Sequence, residues 1–413
     1  MNPITLTEGQ QNALNQFITF LASPLMQTFV LCGYAGTGKS TLIRELLDQY
    51  PALLKAVRLI NPHSINYDLV LTATTNKAAE AMAQITGMEV KTIHSHLGLR
   101  VKTDYMTKTS ELTWAKGRVT PLQQLIFIDE ASFIDPALLS MIFKGVRDCK
   151  IVFIGDPAQL NPVKCSTTPV FSAGFPTAML TEVVRQAKGN PIIELATAFR
   201  ETVSTGKFFS FTPDGEHIQY LSRDDFNQAV LDEFTRPDWK FNDSKVLAWT
   251  NGCVIEYNKA IQNHTKGRVQ FAPGDYAINN TFISVGARSL KTDQLVYISC
   301  VGGDTERLGV KGNIHVADGI EVFMAHDRED VKKRLVQAQL DGDYSAAQAI
   351  ASWADLRAAS ACTINKSQGS TYNKVFIDLD DVKRCTNGNS LARLLYVATS
   401  RARNQVVFTG DLV

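Results

Sequence analysis

The feature that most constrains this chain is a glycine-rich segment that follows an apolar run near the N-terminus. Residues 33–40 read Gly-Tyr-Ala-Gly-Thr-Gly-Lys-Ser, and an amphipathic stretch begins at Lys39. This spacing between a strand and a helix is typical of a P-loop, in which backbone N–H groups and a helix N-terminus hold phosphates. The segment therefore predicts a P-loop α/β fold that binds ATP with Mg²⁺. The alternative interpretation is a glycine-rich turn without a ligand.

The P-loop assigns roles to individual residues. Lys39 is expected to reach the β- and γ-phosphates, and Ser40 is expected to offer its hydroxyl to Mg²⁺. The ATP-binding residues predicted in this segment are Gly33, Ala35, Gly36, Thr37, Gly38, Lys39, Ser40 and Thr41.

An acidic pair ends a second apolar run. Residues 125–128 are Leu-Ile-Phe-Ile, and Asp129 and Glu130 follow them. A P-loop site needs a carboxylate at the end of a neighbouring strand to hold the metal, so Asp129 is the predicted Mg²⁺ ligand. Glu130 is predicted to polarise the attacking water, a role that separates ATP hydrolases from P-loop kinases. Read alone, the pair could instead end a strand at the surface.

A third apolar run, 151–154, leads to Gln159 within a Gly-Asp-Pro-Ala-Gln segment. The Gln159 amide is predicted to contact the γ-phosphate or its water and to report hydrolysis to the rest of the protein. The alternative is a plain Gly-Asp-Pro turn.

Apolar runs alternate with amphipathic helical stretches in two parts of the chain, which predicts parallel α/β sheets in two lobes. The strand-like runs are 28–32, 69–73, 125–128, 151–154, 245–249, 375–379 and 406–409. Two segments interrupt the pattern. The polar segment 98–121 contains a strand–turn–strand candidate at 102–119, with Trp114 near its middle. The glycine-rich segment 265–360 predicts a small β-barrel-like unit followed by helices.

Composition limits the remaining possibilities. The 413 residues carry 42 Lys and Arg against 41 Asp and Glu, so nucleic-acid binding would come from local grooves rather than a global basic field. The seven cysteines lack zinc-type spacing, which favours buried free thiols. An apolar run of about 18 residues and a signal-type N-terminus are both missing, so a reducing, cytoplasmic location without a membrane is expected.

The order of these motifs resembles that of the superfamily-one DNA helicases. Matching strings continue downstream, at 180–186, 363–371 and 396–402. They look like the later motifs of the RecD branch, and the compact size with a polar hairpin insertion is most similar to the phage Dda helicases. The motifs span residues 10–403, nearly the whole chain.

The resemblance to this RecD/Dda branch implies two RecA-like P-loop NTPase lobes with parallel sheets, a β-hairpin (pin) insertion and an SH3-like β-barrel insertion. The implied domains are lobe 1A at 1–97 and 122–178, hairpin 1B at 98–121, lobe 2A at 179–264 and 361–413, and insertion 2B at 265–360.

The resemblance also implies an activity and partners. The chain would be a monomeric ATP-dependent helicase that moves 5′ to 3′ on single-stranded DNA and unwinds duplex DNA in phage replication or recombination. Its partners would be single-stranded and forked DNA and a single-strand-binding or replication/recombination protein, in the host cytoplasm if the chain is phage-encoded.

Four further nucleotide-site residues come from the resemblance. Arg185 and Arg401 would neutralise transition-state charge from the second lobe, Gln10 would contact adenine, and Gly369 would line the nucleotide site. Simpler interpretations are a helix C-terminal cation for Arg401 and a polar first-turn residue for Gln10.

The resemblance also points to a strand-binding track, because hydroxyls, amides and backbone N–H groups at strand ends suit sequence-independent phosphate contacts. The implied residues are Thr74, Thr75, Asn76, Thr92, His94, Thr250, Asn251, Ser370 and Thr371. Trp114 resembles the hairpin aromatic that splits the duplex. Helix capping for Thr75 and core packing for Trp114 are the alternatives.

One position departs from the family. Asn365 stands where relatives carry histidine, and an amide can donate and accept hydrogen bonds but cannot titrate. A proton-dependent role is therefore in doubt here, whereas a geometric role linking Gln368 to the nucleotide can survive. Two rival functions remain: a DNA-dependent ATPase that translocates or remodels protein–DNA complexes without unwinding, and a nucleotide kinase or other P-loop phosphotransferase.

Overall fold

The structure is a computed structural model that describes residues 6–104, 109–162, 165–182, 189–286 and 288–412. In chain order, the strands are β1 Thr28–Gly33, β2 Asp68–Ala73, β3 Val90–Thr92, β4 Leu99–Asp104, β5 Thr109–Trp114, β6 Gln124–Asp129, β7 Lys150–Gly155, β8 Thr177–Leu180, β9 Ile218–Tyr220, β10 Ser244–Ala248, β11 Tyr276–Asn279, β12 Ile283–Val285, β13 Arg288–Leu290, β14 Leu295–Arg307, β15 Val310–Ala317, β16 Ile320–Ala325, β17 Leu356–Arg357, β18 Ala361–Thr363, β19 Tyr372–Asp378 and β20 Ala402–Thr409. The α-helices are α1 Glu8–Ala22, α2 Lys39–Ile60, α3 Asn76–Thr86, α4 Ile93–Leu97, α5 Pro136–Gly145, α6 Pro169–Ser172, α7 Pro191–Thr205, α8 Arg223–Thr235, α9 Asn251–Lys266, α10 Arg328–Leu340, α11 Tyr344–Ala351, α12 Ile364–Ser367, α13 Leu379–Val382 and α14 Gly388–Thr399.

The first lobe is built on a six-stranded parallel sheet of order β3-β2-β6-β7-β1-β8. All residues of β1 and β7 are buried, as expected for parallel strands covered by helices on both faces. Helix α1 adds Phe17 and Phe20 to the core on one face, where the Phe17 ring centroid lies 6.0 Å from that of Phe127. This sheet brings the carboxyl ends of β1, β2, β6 and β7 to one edge.

The second lobe has a five-stranded parallel sheet of order β18-β10-β19-β20-β9. Its central strands β10, β19 and β20 carry the most buried residues, and helices α7 and α14 pack on one face. The two parallel sheets confirm the predicted α/β class. All four residues of β8 pair with β1, so the first sheet extends to Leu180, slightly beyond the implied boundary at 178.

The polar insertion in the first lobe is an antiparallel hairpin of β4 and β5, with Leu99 opposite Trp114. It starts earlier than the predicted 102–119, and Trp114 is the last residue of β5 rather than a central one. A Cβ built on Gly145 would lie 2.8 Å from Trp114 Cη2, so the indole fits closely against that glycine. The Arg118 guanidinium covers the indole at 3.7 Å from the ring centroid. Trp114 therefore packs on the first-lobe core at the base of the hairpin.

The insertion in the second lobe contains a five-stranded sheet of order β16-β15-β14-β11-β17, antiparallel throughout, and a separate β12-β13 ladder. Helices α10 and α11 follow, as the alanine-rich sequence indicates. The strand order leaves β16 and β17 at the edges of the sheet, so the SH3-like barrel stays a prediction. Within the described residues, no helix combines the length and the apolarity needed to cross a membrane.

Candidate functional site

A cleft of about 1140 Å³ lies between the two parallel sheets. The first lobe lines it with residues 34–41 and with the segments that follow β6 and β7. The second lobe lines it with α7, with residues 369–372 and with residues 400–404. Because the carboxyl ends of parallel strands meet at one edge of each sheet, side chains from distant sequence positions converge here.

The P-loop connects β1 to α2 and needs its glycines. Gly36 and Gly38 have φ of 79° and 77°, in the left-handed region that favours glycine. A Cβ on Gly33 would lie 2.6 Å from Thr37 Oγ1. Lys39 Nζ donates to the carbonyl oxygens of Gly33 at 2.6 Å and Tyr34 at 2.9 Å. Among the described residues, the Lys39 ammonium is held only by neutral carbonyls, and it lies at the N-terminus of α2. These two donors together fit a phosphate chain.

Gln10 belongs to the start of α1 and contacts the P-loop. Its Oε1 accepts from Thr7 N–H at 3.0 Å in a capping box, and its Nε2 donates to Thr37 O at 3.4 Å. The side chain is 4% exposed. Gln10 therefore fits both interpretations, because it caps the first helical turn and also lies beside the phosphate-binding loop.

Asp129 ends β6 and Glu130 follows it at the floor of the cleft. Burial raises the pKa of both carboxyl groups, and the charge of Asp129 helps raise that of Glu130 to about 7. Lys39 lowers both pKa values, and Arg401 lowers that of Glu130. A carboxyl group that titrates near neutral pH suits proton acceptance. Glu130 also has φ of 53°, an uncommon conformation for a residue other than glycine that often marks functional sites.

The residues that could hold Mg²⁺ are few. Among the described residues there is no cluster of three or more side chains with metal-ligating groups. Mg²⁺ is often bound by one or two protein oxygens and completed by substrate phosphates and water. Ser40 at the start of α2 and Asp129 both line the cleft and match that pattern.

Gln159 lies in the turn after β7 and pairs with a second-lobe residue. Gln368 Nε2 donates to Gln159 Oε1 at 3.0 Å, and both side chains are buried. Gln368 Oε1 has no hydrogen-bond partner within the described residues. A buried acceptor without a partner is uncommon in a folded protein and often marks a functional site.

Of the two predicted arginines, the structure describes only Arg401. Arg401 is 6% exposed and its guanidinium donates to Val397 O, Ser370 O and Ser400 Oγ at 2.9–3.2 Å. It lines the cleft, and its charge acts on Glu130. Arg185 lies outside the described residues. Gly369 approaches Glu130 closely, since a Cβ built on Gly369 would lie 3.6 Å from Glu130 Oε1.

Several cleft residues were missed by sequence reasoning. Arg393 and Tyr396 of α14 contact the segment after β7, and the Arg200 guanidinium of α7 lies 3.9 Å from the Tyr34 ring centroid. Positions 393, 396 and 400 share one face of a helix at spacings of three and four, so the periodicity of α14 held a usable signal. Tyr34 and Arg200 carried no comparable signal.

Three threonines of the implied strand-binding track are helix caps. Thr75, Thr92 and Thr250 each precede a helix, and each hydroxyl accepts from a backbone N–H of the first turn. The hydroxyl of Thr250 also donates to Asp381 Oδ1 at 2.6 Å. These caps follow β2, β3 and β10, so they lie at carboxyl ends of strands in both lobes.

The remaining track residues contact neighbouring segments. Thr74 Oγ1 donates to Glu130 O at 3.0 Å, and Asn76 Nδ2 donates to Thr292 O of the second-lobe insertion at 3.3 Å. Asn251 Oδ1 accepts from Arg357 at 2.9 Å. Burial lowers the pKa of His94, which favours its neutral form. Ser370 and Thr371 line the cleft.

Comparisons with known proteins agree with this geometry. The family model described as "AAA domain" matches residues 5–222, and the model described as "UvrD-like helicase C-terminal domain" matches residues 358–409. The chain is 28% identical over 271 residues to "ATP-dependent DNA helicase dda" of Enterobacteria phage T4, a match that covers 62% of this chain and 56% of that protein.

Two further similarities extend the comparison. The chain is 29% identical over 194 residues to "ATP-dependent RecD2 DNA helicase" of Deinococcus radiodurans, covering 46% of this chain and 23% of that protein. The matched regions thus span about half or less of these two relatives. The fold is similar to that of the Pif1 helicase from Bacteroides, solved in complex with ADP-AlF3 and ssDNA, with a TM-score of 0.52, 15% identity and coverage of 100% and 94% of the two chains.

The AAA domain model covers more than half of the chain, and the helicase C-terminal model covers the strands and helices around Arg401. The chain therefore belongs to the AAA domain family, and its similarity to the dda and RecD2 helicases is consistent with a superfamily-one helicase of the RecD/Dda type.

Proposed function

We propose that this protein is an ATP-dependent DNA helicase that translocates 5′ to 3′ along single-stranded DNA and unwinds duplex DNA. One observation carries the proposal: the P-loop, Asp129 and Glu130 of the first lobe face Gly369 and Arg401 of the second lobe across one cleft. A site divided between two lobes lets nucleotide binding and hydrolysis change the distance between them.

In this proposal the nucleotide site uses the chain's own groups in distinct roles. Lys39 would exchange its two carbonyl partners for phosphate oxygens, and Ser40 with Asp129 would hold Mg²⁺. Bound Mg²⁺ would neutralise phosphate charge. Glu130 would accept a proton from the attacking water, while Arg185 and Arg401 would stabilise the charge that develops in the transition state.

Direct contacts support a coupling between this site and a nucleic-acid strand. Thr74 donates to the backbone carbonyl of Glu130, and Lys77 Nζ of the same segment donates to Lys366 O in the second lobe at 3.2 Å. A phosphate bound at the ends of β2 and β18 would therefore be connected to the catalytic carboxylate through short backbone segments. The names of the relatives, which describe DNA helicases, and the ssDNA in the Pif1 structure favour DNA as the substrate.

The domain boundaries, the monomeric state, the role in phage replication or recombination and the host-cytoplasmic location are parts of the same proposal. A single-strand-binding or replication/recombination protein is the proposed protein partner, with the insertion at 265–360 as a surface large enough to receive it.

A second candidate function is translocation without strand separation. The observation that favours it is Trp114, which packs on Gly145 under Arg118 instead of projecting from the hairpin. If the hairpin separates strands, the separating group belongs to another part of the segment, such as residues 105–108, which lie outside the described residues.

The deciding experiment is strand displacement on forked substrates with either a 5′ or a 3′ single-stranded tail. Displacement that needs the 5′ tail supports the proposed polarity, and displacement that needs only the 3′ tail contradicts it.

Lys39→Ala should abolish both displacement and DNA-stimulated ATP hydrolysis. Replacement of 100–113 by a short glycine–serine turn should abolish displacement while sparing ATP hydrolysis. Unchanged displacement in this variant would mean that another element separates the strands. If the wild type hydrolyses ATP but displaces no strand, the translocase function is favoured.

A further inference from the structure

Tyr396 connects the two loops of the first lobe that flank the cleft, although it belongs to the second lobe. Its hydroxyl accepts from the Ala35 N–H of the P-loop at 2.9 Å and donates to Asp156 Oδ2 at 2.5 Å. The side chain is 2% exposed. One buried hydroxyl from α14 is thus bonded at once to the loop after β1 and to the loop after β7.

Asp156 needs this hydroxyl. The carboxylate is fully buried, and its other oxygen accepts from Ala158 N–H at 2.9 Å, which shapes the turn that carries Gln159. A buried charge without hydrogen-bond partners is strongly unfavourable. Burial and the charge of Asp156 raise the pKa of Tyr396 well above its usual value, so the phenol keeps the proton that it donates.

A second residue on the same face of α14 reinforces the contact. Arg393, one helical turn before Tyr396, donates to Pro157 O at 2.7 Å and to Gln159 O at 2.5 Å. Arg393 holds the backbone on either side of Ala158, and Tyr396 holds Asp156. The position of α14 therefore determines the geometry of the turn before Gln159.

The C-terminal end of α14, just after Tyr396, leads to the strand-binding side. Arg401 follows the helix and donates to Ser370 O, next to Thr371. A strand that displaces Ser370 and Thr371 would move α14, and α14 would carry that movement to Ala35 and Asp156.

We propose that Tyr396 is a positioning residue that couples strand binding to ATP hydrolysis, because its hydroxyl fixes the P-loop and the Gln159 turn in register only when α14 is docked. This inference rests on the proposed DNA-dependent ATPase function. It concerns the hydroxyl and not the ring, since phenylalanine would fill the same space but leave Asp156 and the Ala35 N–H without their partner.

The test compares wild type, Tyr396→Phe, Asp156→Asn and the double variant in steady-state ATP hydrolysis, with and without single-stranded DNA. In Tyr396→Phe we expect the stimulation of kcat by DNA to fall roughly tenfold or more, because a hydrogen bond to a buried charge is lost. The KM for ATP should change less than about twofold, since Tyr396 donates to Asp156 and accepts from Ala35 N–H but makes no hydrogen bond to Lys39 or Ser40 among the described residues.

The double variant gives the readout that separates positioning from packing. Asp156→Asn in the Tyr396→Phe background removes the unpaired charge, so it should restore part of the lost stimulation; the two substitutions then combine non-additively. Tyr50→Phe is the matched control. Tyr50 is also buried, and its hydroxyl donates to Tyr67 O within the first lobe at 2.9 Å. It should lower thermal stability without changing DNA stimulation.

Each result has one consequence. Stimulation within twofold of wild type in Tyr396→Phe, or strictly additive effects of the two substitutions, overturns the coupling role. A wild type whose ATP hydrolysis ignores single-stranded DNA refutes the proposed function and this inference with it. A wild type that responds to DNA while Tyr396→Phe responds equally refutes only the inference. If Tyr396→Phe does not fold, Asp156→Asn alone decides, and an unchanged stimulation in that variant overturns the proposal.

Discussion

Gly369 of the second lobe lies directly against the carboxylate of Glu130 in the first: a Cβ built on Gly369 would stand 3.6 Å from Glu130 Oε1. The glycine has φ of 74°, in the left-handed region. The backbone between Gln368 and Ser370 thus approaches the candidate general base as closely as a side chain would.

Gly369→Ala should lower kcat for ATP hydrolysis roughly tenfold, because the left-handed conformation costs alanine about 1–2 kcal/mol and the added methyl group displaces water beside Glu130. Gly206→Ala is the matched control. Gly206 has φ of 71° and a Cβ there would meet nothing within 4 Å, so it bears the same strain away from the cleft. Equal losses of kcat in both variants would mean that the proximity to Glu130 has no catalytic consequence.

The pKa of Glu130, raised to about 7, predicts a pH dependence of catalysis. The proton acceptor must be ionised, so kcat/KM for ATP should rise with pH up to about 7 and level off above it. Glu130→Gln should lower kcat by about 10²–10⁴-fold. A residual rate in Glu130→Gln that keeps the same inflection would assign the titration to another group.

The same carboxyl group predicts a pH dependence of stability. Its folded-state pKa lies above the usual 4.5, so the folded state binds more protons than the unfolded state between pH 4.5 and about 7. Its contribution to stability is therefore full below pH 4.5 and is lost as pH rises through 7. Thermal unfolding of the nucleotide-free protein should show Glu130→Gln melting higher than wild type at pH 8, with the difference shrinking towards pH 5. A constant difference would contradict this assignment.

The second-lobe insertion is docked through Lys366, whose Nζ bonds Asp293 Oδ1 at 2.8 Å and also contacts Asn280. Asp293→Ala should free this cation beside the implied strand track, and the affinity for single-stranded DNA at low salt should rise about threefold to tenfold with a steeper salt dependence. Fluorescence anisotropy across a salt series measures both. Asp304→Ala removes the same charge from an exposed site in the insertion and should leave the salt slope unchanged.

Trp114 should behave as a stability residue. Because its ring packs on Gly145 and beneath Arg118, Trp114→Ala should lower the free energy of unfolding by about 2 kcal/mol or more. The number of base pairs separated per ATP hydrolysed should stay at the wild-type value in the folded fraction. Val101→Ala, on an exposed hairpin position, should change stability by less than about 0.5 kcal/mol. A selective loss of unwinding in Trp114→Ala would restore its role in strand separation.

The local sequence could predict the site residues whose motif lies within one short segment of the chain. Lys39 and Ser40 begin the helix that follows β1, and Asp129 and Glu130 end and follow β6, so the order of strands in the first sheet brings them together. The spacing of Arg393 and Tyr396 shows only that they share one face of α14; their contacts depend on how α14 docks against the other lobe, which no local pattern specifies. The sequence predicts Trp114 near the middle of a hairpin at 102–119, whereas β4 begins at Leu99 and Trp114 ends β5.

The capping residues show a second limit. Thr75, Thr92 and Thr250 satisfy both interpretations that the sequence left open, since a hydroxyl at the start of a helix can cap the helix and still face a phosphate.

Gln10 has a practical consequence for protein engineering. Its amide joins Thr7 to Thr37, so the beginning of α1 and the phosphate-binding loop share one side chain. An affinity tag or a protease site fused close to Thr7 would disturb the capping box and, through it, the apparent affinity for nucleotide. An affinity tag is therefore better placed after β20, which is far from the P-loop along the chain.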